Sequence, residues 1–351
     1  MKTVLIQILR CPVSGQKLEW KGAAAATENG ELLEGWLVSE DGQYRYPVRG
    51  GIPRFVPESN YADNFGMQWN HFAKTQLDSH SGHGISADRF WMATSWNATE
   101  MDGKWVLDVG CGSGRFAEVA LSSGAQVVAL DYSSAVDACY ANLRDHPNLH
   151  VIQGDIYAMP FAPETFSFVY SLGVLQHTPD VARAFAALPP LLRGQGHLCV
   201  DYYEKSFKSL LLPKYWLRPF TKGMAKQKLF SRLEKIVPIL LPVSRTLGRV
   251  PVVGKLLKRT IPVANYEGML PLTERQLREW ALLDTFDWFS PAYDNPQTNR
   301  SARLYMESAN MEEVEVLKAG HLVARGKKAL SNSVKNKTLN PNKTTSSPLL
   351  S

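Results

Sequence analysis

The strongest chemical signal in the sequence is a glycine-rich segment that follows a short apolar run. Residues 107–116 read LDVGCGSGRF, with an acid, Asp108, two residues before the first of three glycines. Glycine permits a positive φ and lets the backbone approach a ligand closely. The segment therefore predicts a ligand-binding loop between a buried strand and a helix.

This loop differs from the pyrophosphate-binding fingerprint of dinucleotide-binding folds. That fingerprint has glycine at its sixth position, where this chain has Arg115, and the third glycine comes one residue earlier, at Gly114. A pyrophosphate is disfavoured by a nearby carboxylate, whereas a ligand with positive groups is favoured. The acid at Asp108 therefore favours a cationic ligand.

The elements that must position this loop follow from the hydrophobic pattern. Short apolar runs alternate with helical patterns, which predicts βαβ units around a parallel sheet. The predicted strands cover 106–109, 126–130, 149–152, 166–170 and 197–200, and the predicted helices cover 115–122, 133–143 and 181–188. A last helix at 298–308 precedes a predicted strand pair, 314–316 and 321–324.

Further polar residues follow the other predicted strands. Asp131 ends the second strand, Asp155 follows the third, and the segment 170–177 (YSLGVLQH) follows the fourth. Open parallel sheets bind ligands at the edge where these strand ends meet, and an acid after the second strand can accept both ribose hydroxyls. The pattern predicts a nucleoside site at this edge.

The loop, Asp131, Asp155 and the segment 170–177 together resemble class I S-adenosylmethionine-dependent methyltransferases of the UbiE-like group. The resemblance implies an α/β fold with a Rossmann-like, seven-stranded sheet, a C-terminal antiparallel hairpin, and S-adenosyl-L-methionine as cofactor. In this family an Asp at the position of Asp155 contacts the adenine amino group, and the next apolar residue covers the ring. The implied cofactor-binding residues are Asp108, Gly110, Gly112, Gly114, Asp131, Tyr132, Asp155, Ile156 and Leu172.

Catalytic candidates are His177, Tyr203 and Tyr293. In-line methyl transfer gains most from proximity and orientation, and only a hydroxyl acceptor needs a general base. For His177, a role as that base and a local structural role before the next helix both stay open. For the tyrosines, core packing is the alternative. Phe65, Trp69 and His71 are candidates to cover the cofactor.

Residues 1–57 form a separate predicted unit, rich in turns and short β-type runs. It resembles the zinc-ribbon-like module found beside some methyltransferase domains, but in degenerate form. Only Cys11 remains of the cysteine pairs, and Ser14 stands where its partner would be. A zinc site needs about four N or S ligands, so we predict a β-rich unit without bound metal.

Composition limits the compartment and the size of the fold. The chain has 351 residues, enough for one large domain with appendages. It has no run of about 18 apolar residues that could span a membrane, and no signal peptide is predicted. Four scattered cysteines indicate a reducing compartment. We therefore expect a cytoplasmic protein, with peripheral membrane contact left open.

Charge is distributed unevenly. Residues 203–266 hold fourteen Lys and Arg against two Glu, the tail 327–351 holds five Lys and no acid, and the rest of the chain carries −11. A nucleic-acid binder would carry basic charge on its folded core, which is acidic here. We expect a methyltransferase domain at 58–326, with a helical insert or lid at 203–270 and a disordered tail after it. The insert is either a membrane-facing segment or a lid with solvated lysines.

The sequence thus predicts an S-adenosylmethionine-dependent methyltransferase that acts on a small-molecule, saccharide or lipid-linked acceptor. An RNA or protein methyltransferase and a non-catalytic S-adenosylmethionine-binding protein are the alternatives. Leu172-Gly173-Val174 replaces the Asn-Pro-Pro-Tyr type segment of base-amino methyltransferases, which argues against DNA. The acceptor, the atom methylated and the oligomeric state are not defined by the sequence.

Overall fold

The computed structural model describes residues 1–22, 31–57, 60–206 and 212–330. The disordered tail was predicted at 327–351; Lys327 and Lys328 instead belong to the strand His321–Lys328, and residues from 331 onward lie outside the described residues, as do residues 207–211 of the insert. Among the four cysteines, all are buried and none forms a disulfide.

The N-terminal unit contains a four-stranded antiparallel sheet in the order β1-β2-β3-β4. Its strands are β1 (Leu18–Gly22), β2 (Gly35–Ser39), β3 (Arg45–Arg49) and β4 (Ile52–Pro53). Cys11 lies 3.2 Å from the hydroxyl of Tyr46, measured from its Sγ. Within the described ranges, no group of three or more His, Cys, Asp or Glu side chains could hold a metal ion. The likeness to a zinc ribbon stays a prediction.

A second sheet has seven strands. They are β5 (Trp105–Val109), β6 (Gln126–Asp131), β7 (Leu149–Gln153), β8 (Phe166–Ser171), β9 (Leu192–Tyr202), β10 (Met311–Ala319) and β11 (His321–Lys328), in the order β10-β11-β9-β8-β5-β6-β7. Strands β5 to β9 pair in parallel, whereas β11 is antiparallel to both of its neighbours. This confirms the predicted Rossmann-like sheet with its closing hairpin.

The helices cover this sheet and extend beyond it. The described α-helices are α1 (Asp63–His71), α2 (Asp78–Ser81), α3 (Ile85–Thr94), α4 (Ala98–Met101), α5 (Arg115–Leu121), α6 (Ala135–Leu143), α7 (Val181–Ala186), α8 (Pro213–Thr221), α9 (Lys226–Gly248), α10 (Gly254–Leu257), α11 (Glu274–Phe289) and α12 (Asn299–Ser308). No helix of the described chain is long and apolar enough to cross a membrane.

Side chains alternate between the two faces of the central strands. On β5, Leu107 and Val109 join one hydrophobic cluster with the N-terminal unit, α7 and α12, while Val106 joins a cluster with α3, α5 and α6. Strands buried on both faces are rich in apolar residues, which is why β5 to β8 are mostly apolar, with buried polar exceptions such as Asp108 and His150.

The insert folds as a third, smaller layer. The predicted helical insert is confirmed as α8, α9 and α10, whereas α11, which follows it, was not predicted. Helix α9 buries Leu229, Phe230, Leu233 and Val237 in a cluster that includes Phe286 of α11. The insert therefore packs against α11.

The N-terminal unit is joined to the larger sheet by backbone hydrogen bonds. The Arg10 amide donates to the Pro160 carbonyl at 2.9 Å, and the Phe55 amide donates to the Gln153 carbonyl at 2.8 Å. Leu9 is fully buried in the shared cluster. The segments on the two sides of residue 57 thus share one hydrophobic core.

We predict that Leu9→Ala destabilises the whole protein by about 2–5 kcal/mol, because it leaves a cavity in this shared core. Val13→Ala is the matched control, since Val13 is 66% exposed. Urea unfolding followed by circular dichroism measures both. If Leu9→Ala changes the unfolding midpoint no more than Val13→Ala, the two segments do not depend on a common core.

Candidate functional site

A cavity of about 1090 Å³ opens at the carboxyl edge of the parallel strands. Its lining falls into two halves. One half is formed by the ends of β5, β6, β7 and β8, and the other by α3, the insert, α11 and the turn between β10 and β11. Ligands of open α/β sheets bind at this edge, so the topology places the cavity where the sequence predicted a site.

The glycine loop after β5 is held to the end of β6. The amides of Gly110 and Cys111 both donate to the Leu130 carbonyl, at 2.7 and 3.0 Å, and the amide of Gly112 donates to Asp131 Oδ2 at 3.0 Å. Gly110 and Gly112 have φ values of +85° and +53°. A Cβ at Gly112 would lie 3.1 Å from the Trp69 ring, and one at Gly110 would overlap Val174. Both positions therefore require glycine.

The carboxylate of Asp131 holds the surrounding backbone in place and keeps some capacity to bind a ligand. Its Oδ1 accepts hydrogen bonds from the Ser133 amide and hydroxyl, at 2.8 and 2.7 Å, while Oδ2 accepts from Gly112. A carboxylate has about four acceptor positions, so about one remains for a ligand hydroxyl. Burial raises the pKa of Asp131, and these hydrogen bonds oppose that shift.

Asp108 lies beneath the loop, is almost fully buried with 2% of its surface exposed, and is not among the residues that line the cavity, so a contact with the cofactor stays a prediction. Its Oδ2 has no hydrogen-bond partner within the described structure. Burial raises the pKa of Asp108 to about 8. An unsatisfied buried acceptor is costly, and a positively charged group in the cavity above the loop would lower that cost.

The remaining residues predicted to bind the cofactor divide between the cavity and the structure around it. Tyr132, Ile156 and Leu172 line the cavity. Gly114, with φ of +96°, instead begins α5, where a Cβ would overlap Leu143. Asp155 is not among the lining residues; its Oδ1 accepts the Tyr157 amide at 2.9 Å, as in a local turn. A contact of Asp155 with an adenine ring stays a prediction.

His177 lies at the boundary between the two halves. Its Nδ1 is 3.0 Å from the Tyr293 carbonyl oxygen. A carbonyl only accepts, so Nδ1 carries a proton and the neutral ring presents its lone pair at Nε2. Phe65 and Tyr203 contact the ring, with centroids 5.2 and 5.4 Å away. The structure therefore holds His177 in the tautomer that a general base requires.

The two predicted catalytic tyrosines occupy different places. Tyr203 lines the cavity, and its hydroxyl donates to Asp287 Oδ2 at 3.0 Å. Burial and the Asp287 carboxylate raise the pKa of Tyr203 well above its usual range, so the phenol keeps its proton. This favours orientation over proton abstraction for Tyr203. Tyr293 is not among the lining residues and is 38% exposed; its carbonyl, rather than its ring, holds His177.

Of the aromatic residues expected to cover the cofactor, Phe65 and Trp69 line the cavity. His71 does not: it packs edge-on against Phe72 and Phe230, below the insert. The aromatic side chains of α1 thus lie between the half of the cavity formed by the strand ends and the core of the insert.

Much of the second half of the cavity is lined by residues that the sequence did not predict. One face of α11 contributes Trp280, Asp284, Asp287 and Trp288, spaced by four, three and one residues. Asp284 accepts a hydrogen bond from the Tyr266 hydroxyl, and burial raises its pKa to about 6. The Thr273–Gln276 capping box was a signal that could have predicted where this helix begins.

Two arginines border the same half. Arg89 Nη2 pairs with Asp201 Oδ2 at 2.8 Å, while its buried Nε has no partner in the described part of the chain. Arg115 donates to Ser86 and Gln76, and its guanidinium lies 4.9 Å from the centroid of the Phe116 ring. Burial lowers the pKa of Arg115 to about 9. This second half of the cavity therefore combines two arginine side chains, held by hydrogen bonds or an ion pair, with the carboxylates of α11.

Comparison with known proteins agrees with this geometry. Residues 107–200 match the family described as a methyltransferase domain. Proteins named ubiquinone biosynthesis O-methyltransferase are 30% identical over 141 residues in Yersinia enterocolitica and 31% identical over 142 residues in Yersinia pestis. Each match covers 38% of this chain, and the chain spans 58% of the length of these curated relatives.

Solved structures show weaker similarity. An S-adenosylmethionine-dependent methyltransferase of Methanosarcina mazei is 15% identical, with a TM-score of 0.37, over 66% of this chain and 94% of that one. A phosphoethanolamine N-methyltransferase of Haemonchus contortus is 17% identical, with a TM-score of 0.34, over 43% and 34% of the two chains. These scores are too low to assign function. The observed sheet order establishes the fold, and residues 107–200 of this fold match a methyltransferase domain.

We predict that Asp108→Asn changes how stability depends on pH. The pKa of Asp108 is raised in the folded state to about 8, from about 3.8, so the folded state keeps a proton that the unfolded state loses in this window. Stability should therefore fall as pH rises between these values, by up to about 1.4 kcal/mol per pH unit from this group, and the Asn variant should lack that contribution.

Urea unfolding at pH 5.5 and 7.5 tests this effect. The difference in unfolding free energy between variant and wild type should grow in favour of the variant at the higher pH. Asp145→Asn, at an exposed carboxylate, is the control and should show the same small difference at both values. An equal difference for Asp108→Asn at both values would mean that its carboxyl group titrates normally.

Proposed function

We propose that this protein is an S-adenosylmethionine-dependent methyltransferase whose acceptor is a small molecule, a saccharide or a lipid-linked molecule. The observation that carries the proposal is the cavity itself. It joins a glycine loop within a methyltransferase domain to a second chamber with its own polar residues. Its volume of about 1090 Å³ exceeds that of most sites for one small ligand, which are about 300–1,000 Å³, so donor and acceptor fit together.

The residues around the glycine loop fit S-adenosylmethionine. Asp108 lies behind the cavity wall, where a buried carboxyl group would favour a ligand with positive groups without contacting it, and Asp131, which lines the cavity, retains acceptor capacity for a ribose hydroxyl. Ile156 and Leu172 supply apolar surface for the adenine ring of the cofactor. The bound cofactor would supply an electrophilic methyl group carried on a sulfonium centre.

The chain's own contribution to the reaction is orientation and exclusion of water. Phe65, Trp69 and the insert cover the cavity, which lowers the number of water molecules around the reacting groups. Tyr203 donates to Asp287 and can hold an acceptor in register beside His177. His177, with its lone pair at Nε2, would take the proton of an acceptor hydroxyl.

The named relatives support a hydroxyl acceptor. Both are ubiquinone biosynthesis O-methyltransferases by name, and the similarity extends over 141 and 142 residues. An O-methyl transfer is the case in which a general base contributes most, because a neutral hydroxyl is a poor nucleophile. We also propose that the protein works at a membrane surface, where a lipid-linked acceptor would be presented.

Asp131→Ala should weaken S-adenosylmethionine binding by about 1–3 kcal/mol, because the ligand loses a charged acceptor and the loop loses the Gly112 hydrogen bond. Isothermal titration calorimetry measures the affinity. Asp145→Ala, at an exposed carboxylate, should bind as the wild type does. Unchanged affinity in a folded Asp131→Ala protein would remove Asp131 from the cofactor site.

Methyl transfer itself can be detected without knowing the acceptor. The purified protein is incubated with methyl-deuterated S-adenosylmethionine and separate polar and lipid extracts of cells, and products that gain the label are sought by mass spectrometry. His177→Asn should lower the initial rate of labelling about 10²–10⁴-fold with unchanged cofactor affinity, because Asn can replace the Nδ1 donor but cannot take a proton.

The exposed His80 provides the matched control, and His80→Asn should label at the wild-type rate. Binding of S-adenosylmethionine without any labelled product in either extract would favour the non-catalytic binding protein. Label found in RNA or protein added to the assay, and in neither extract, would replace the small-molecule acceptor with a macromolecular one.

A further inference from the structure

The insert exposes far more apolar surface than the rest of the molecule. Across the described residues, seventeen large apolar side chains are exposed, and eleven of them lie between 216 and 269. Single exposed apolar side chains are normal on folded proteins, but concentrated ones mark interaction sites. The exposed apolar residues of the insert therefore need an explanation beyond solvation.

Helix α8 buries basic residues and exposes aromatic ones, which is the reverse of an ordinary surface helix. It buries its basic residues, Lys214 and Arg218, whose nitrogens lie 3.4 and 3.3 Å from Asp294 Oδ2. On its other side Trp216 is 65% exposed and Phe220 is 78% exposed. A helix in contact only with water would place these two kinds of residue the other way round. The outer face of α8 is thus suited to an apolar phase.

Helix α9 presents an outer stripe with two chemically different ends. Lys228, Arg232 and Lys235 form its N-terminal end, and Ile239 and Val243 continue it at spacings of four residues. These positions lie opposite the buried stripe that packs on α11. The loop before α10 and α10 itself add further exposed apolar side chains, among them Val252, which is fully exposed, and Leu256, which is 67% exposed.

The same segment carries a large positive charge. Residues 212–270 hold twelve Lys and Arg against two Glu, which gives a formal charge of +10. Six of the basic side chains are exposed and have no ion-pair partner within the described ranges: Lys222, Lys228, Arg232, Lys235, Lys255 and Arg259. Exposed apolar and basic groups on adjacent elements match the two layers of an anionic lipid surface.

We propose that the outer face of α8, α9 and α10 docks on an anionic lipid bilayer, with the apolar side chains at the acyl boundary and the lysines against lipid phosphates. We call this surface the insert face; it comprises Trp216, Leu217, Phe220, Ile236, Ile239, Val243, Val252, Val253 and Leu256 with the six exposed basic residues. Tryptophan is enriched at bilayer interfaces because its ring is apolar and its N–H is polar.

Two other occupants fit the insert face less well. A second copy of this chain would bring two segments of charge +10 together, and like charges oppose that contact. A nucleic acid would use the basic side chains but would leave Phe220, Ile239 and Leu256 with no apolar partner, since its affinity comes mainly from phosphate contacts. An anionic bilayer satisfies both kinds of group.

The insert face borders the cavity. Leu212 and Tyr215 line the cavity, and Trp216, the next residue, belongs to the insert face. Met269 both lines the cavity and is 66% exposed. A molecule held in the bilayer by an acyl or prenyl chain could therefore present its head group to the cavity without leaving the lipid. This consequence, unlike the docking itself, rests on the proposed methyltransferase function.

Vesicle co-sedimentation tests the docking. The full-length protein is mixed with vesicles of phosphatidylcholine alone, or of phosphatidylcholine with one third phosphatidylglycerol, at low and at high salt. We expect binding to the anionic vesicles that weakens with salt, because exposed charges are screened over about 8–10 Å at physiological ionic strength and over less at high salt. Wild-type protein that stays in the supernatant with anionic vesicles at low salt would overturn the proposal.

Two variants separate the apolar and charged contributions. Trp216→Ser with Phe220→Ser removes exposed apolar groups, and Lys222→Glu with Lys228→Glu and Lys235→Glu reverses exposed charges. Each should lower the vesicle partition coefficient at least about tenfold. The matched control is Leu304→Ser with Arg300→Glu on α12, which changes an exposed apolar and an exposed basic residue elsewhere. Equal loss in this control would overturn the proposal.

Two further measurements distinguish other outcomes. Sedimentation velocity without lipid reveals whether Trp216→Ser with Phe220→Ser abolishes a dimer, which would assign the insert face to a second copy and overturn lipid docking. Calorimetry with S-adenosylmethionine on the same samples keeps the two proposals separate. Cofactor binding without vesicle binding defeats only the docking, and vesicle binding without cofactor binding defeats only the proposed function.

Discussion

The site depends on three consecutive amides that fasten the glycine loop to the end of the neighbouring strand. Gly110 and Cys111 share the Leu130 carbonyl, and Gly112 donates to the Asp131 carboxylate. This attachment requires β5 and β6 to be adjacent and parallel, so that their carboxyl ends meet. It also requires positive φ at Gly110 and Gly112. Because these residues have no Cβ, Val174 and Trp69 can pack directly on the backbone. The loop is thus fixed before any ligand binds.

That constraint explains why the cofactor half could be predicted from the sequence. Asp108, the glycine loop and Asp131 lie within 24 residues of the chain. Each part of this stretch has a local sequence signal: a glycine spacing, an apolar run or an acid at a strand end. The sequence predicted a ligand-binding role for Asp131, whereas the structure shows that its carboxylate also performs a structural role, so that about one acceptor position remains for a ligand. Local chemistry allowed both roles, and only the geometry shows how they share one side chain.

The acceptor half could not be predicted in the same way because its residues meet only through tertiary structure. Arg89, Tyr203, Asp287 and His321 come from four elements that span more than 200 residues of the chain. Helix α11 was missed because it packs against the insert on one side and lines the cavity on another, so apolar residues occur around most of its circumference. A helix of that kind lacks the single apolar stripe on which prediction depends.

Charge counting also failed to locate the basic residues of the insert. The sequence suggested that its lysines and arginines are solvated, and this holds for most of α9. On α8, however, Lys214 and Arg218 point inward to Asp294, while Trp216 and Phe220 face outward. A buried ion cluster is stabilising only while all of its members are present, because removing one leaves an uncompensated charge. The cluster therefore fixes the rotation of α8 about its axis, and that rotation exposes the aromatic side chains.

The same cluster links the insert to the candidate base. Asp294, which holds α8, directly follows Tyr293, whose carbonyl holds His177 Nδ1. The next residue, Asn295, donates its backbone amide to the Gln176 carbonyl at 2.8 Å. Three consecutive residues thus connect the position of α8 to the orientation of the His177 ring. A displacement of α8 that breaks the ion pairs would therefore also disturb the segment whose backbone carbonyl holds the His177 ring.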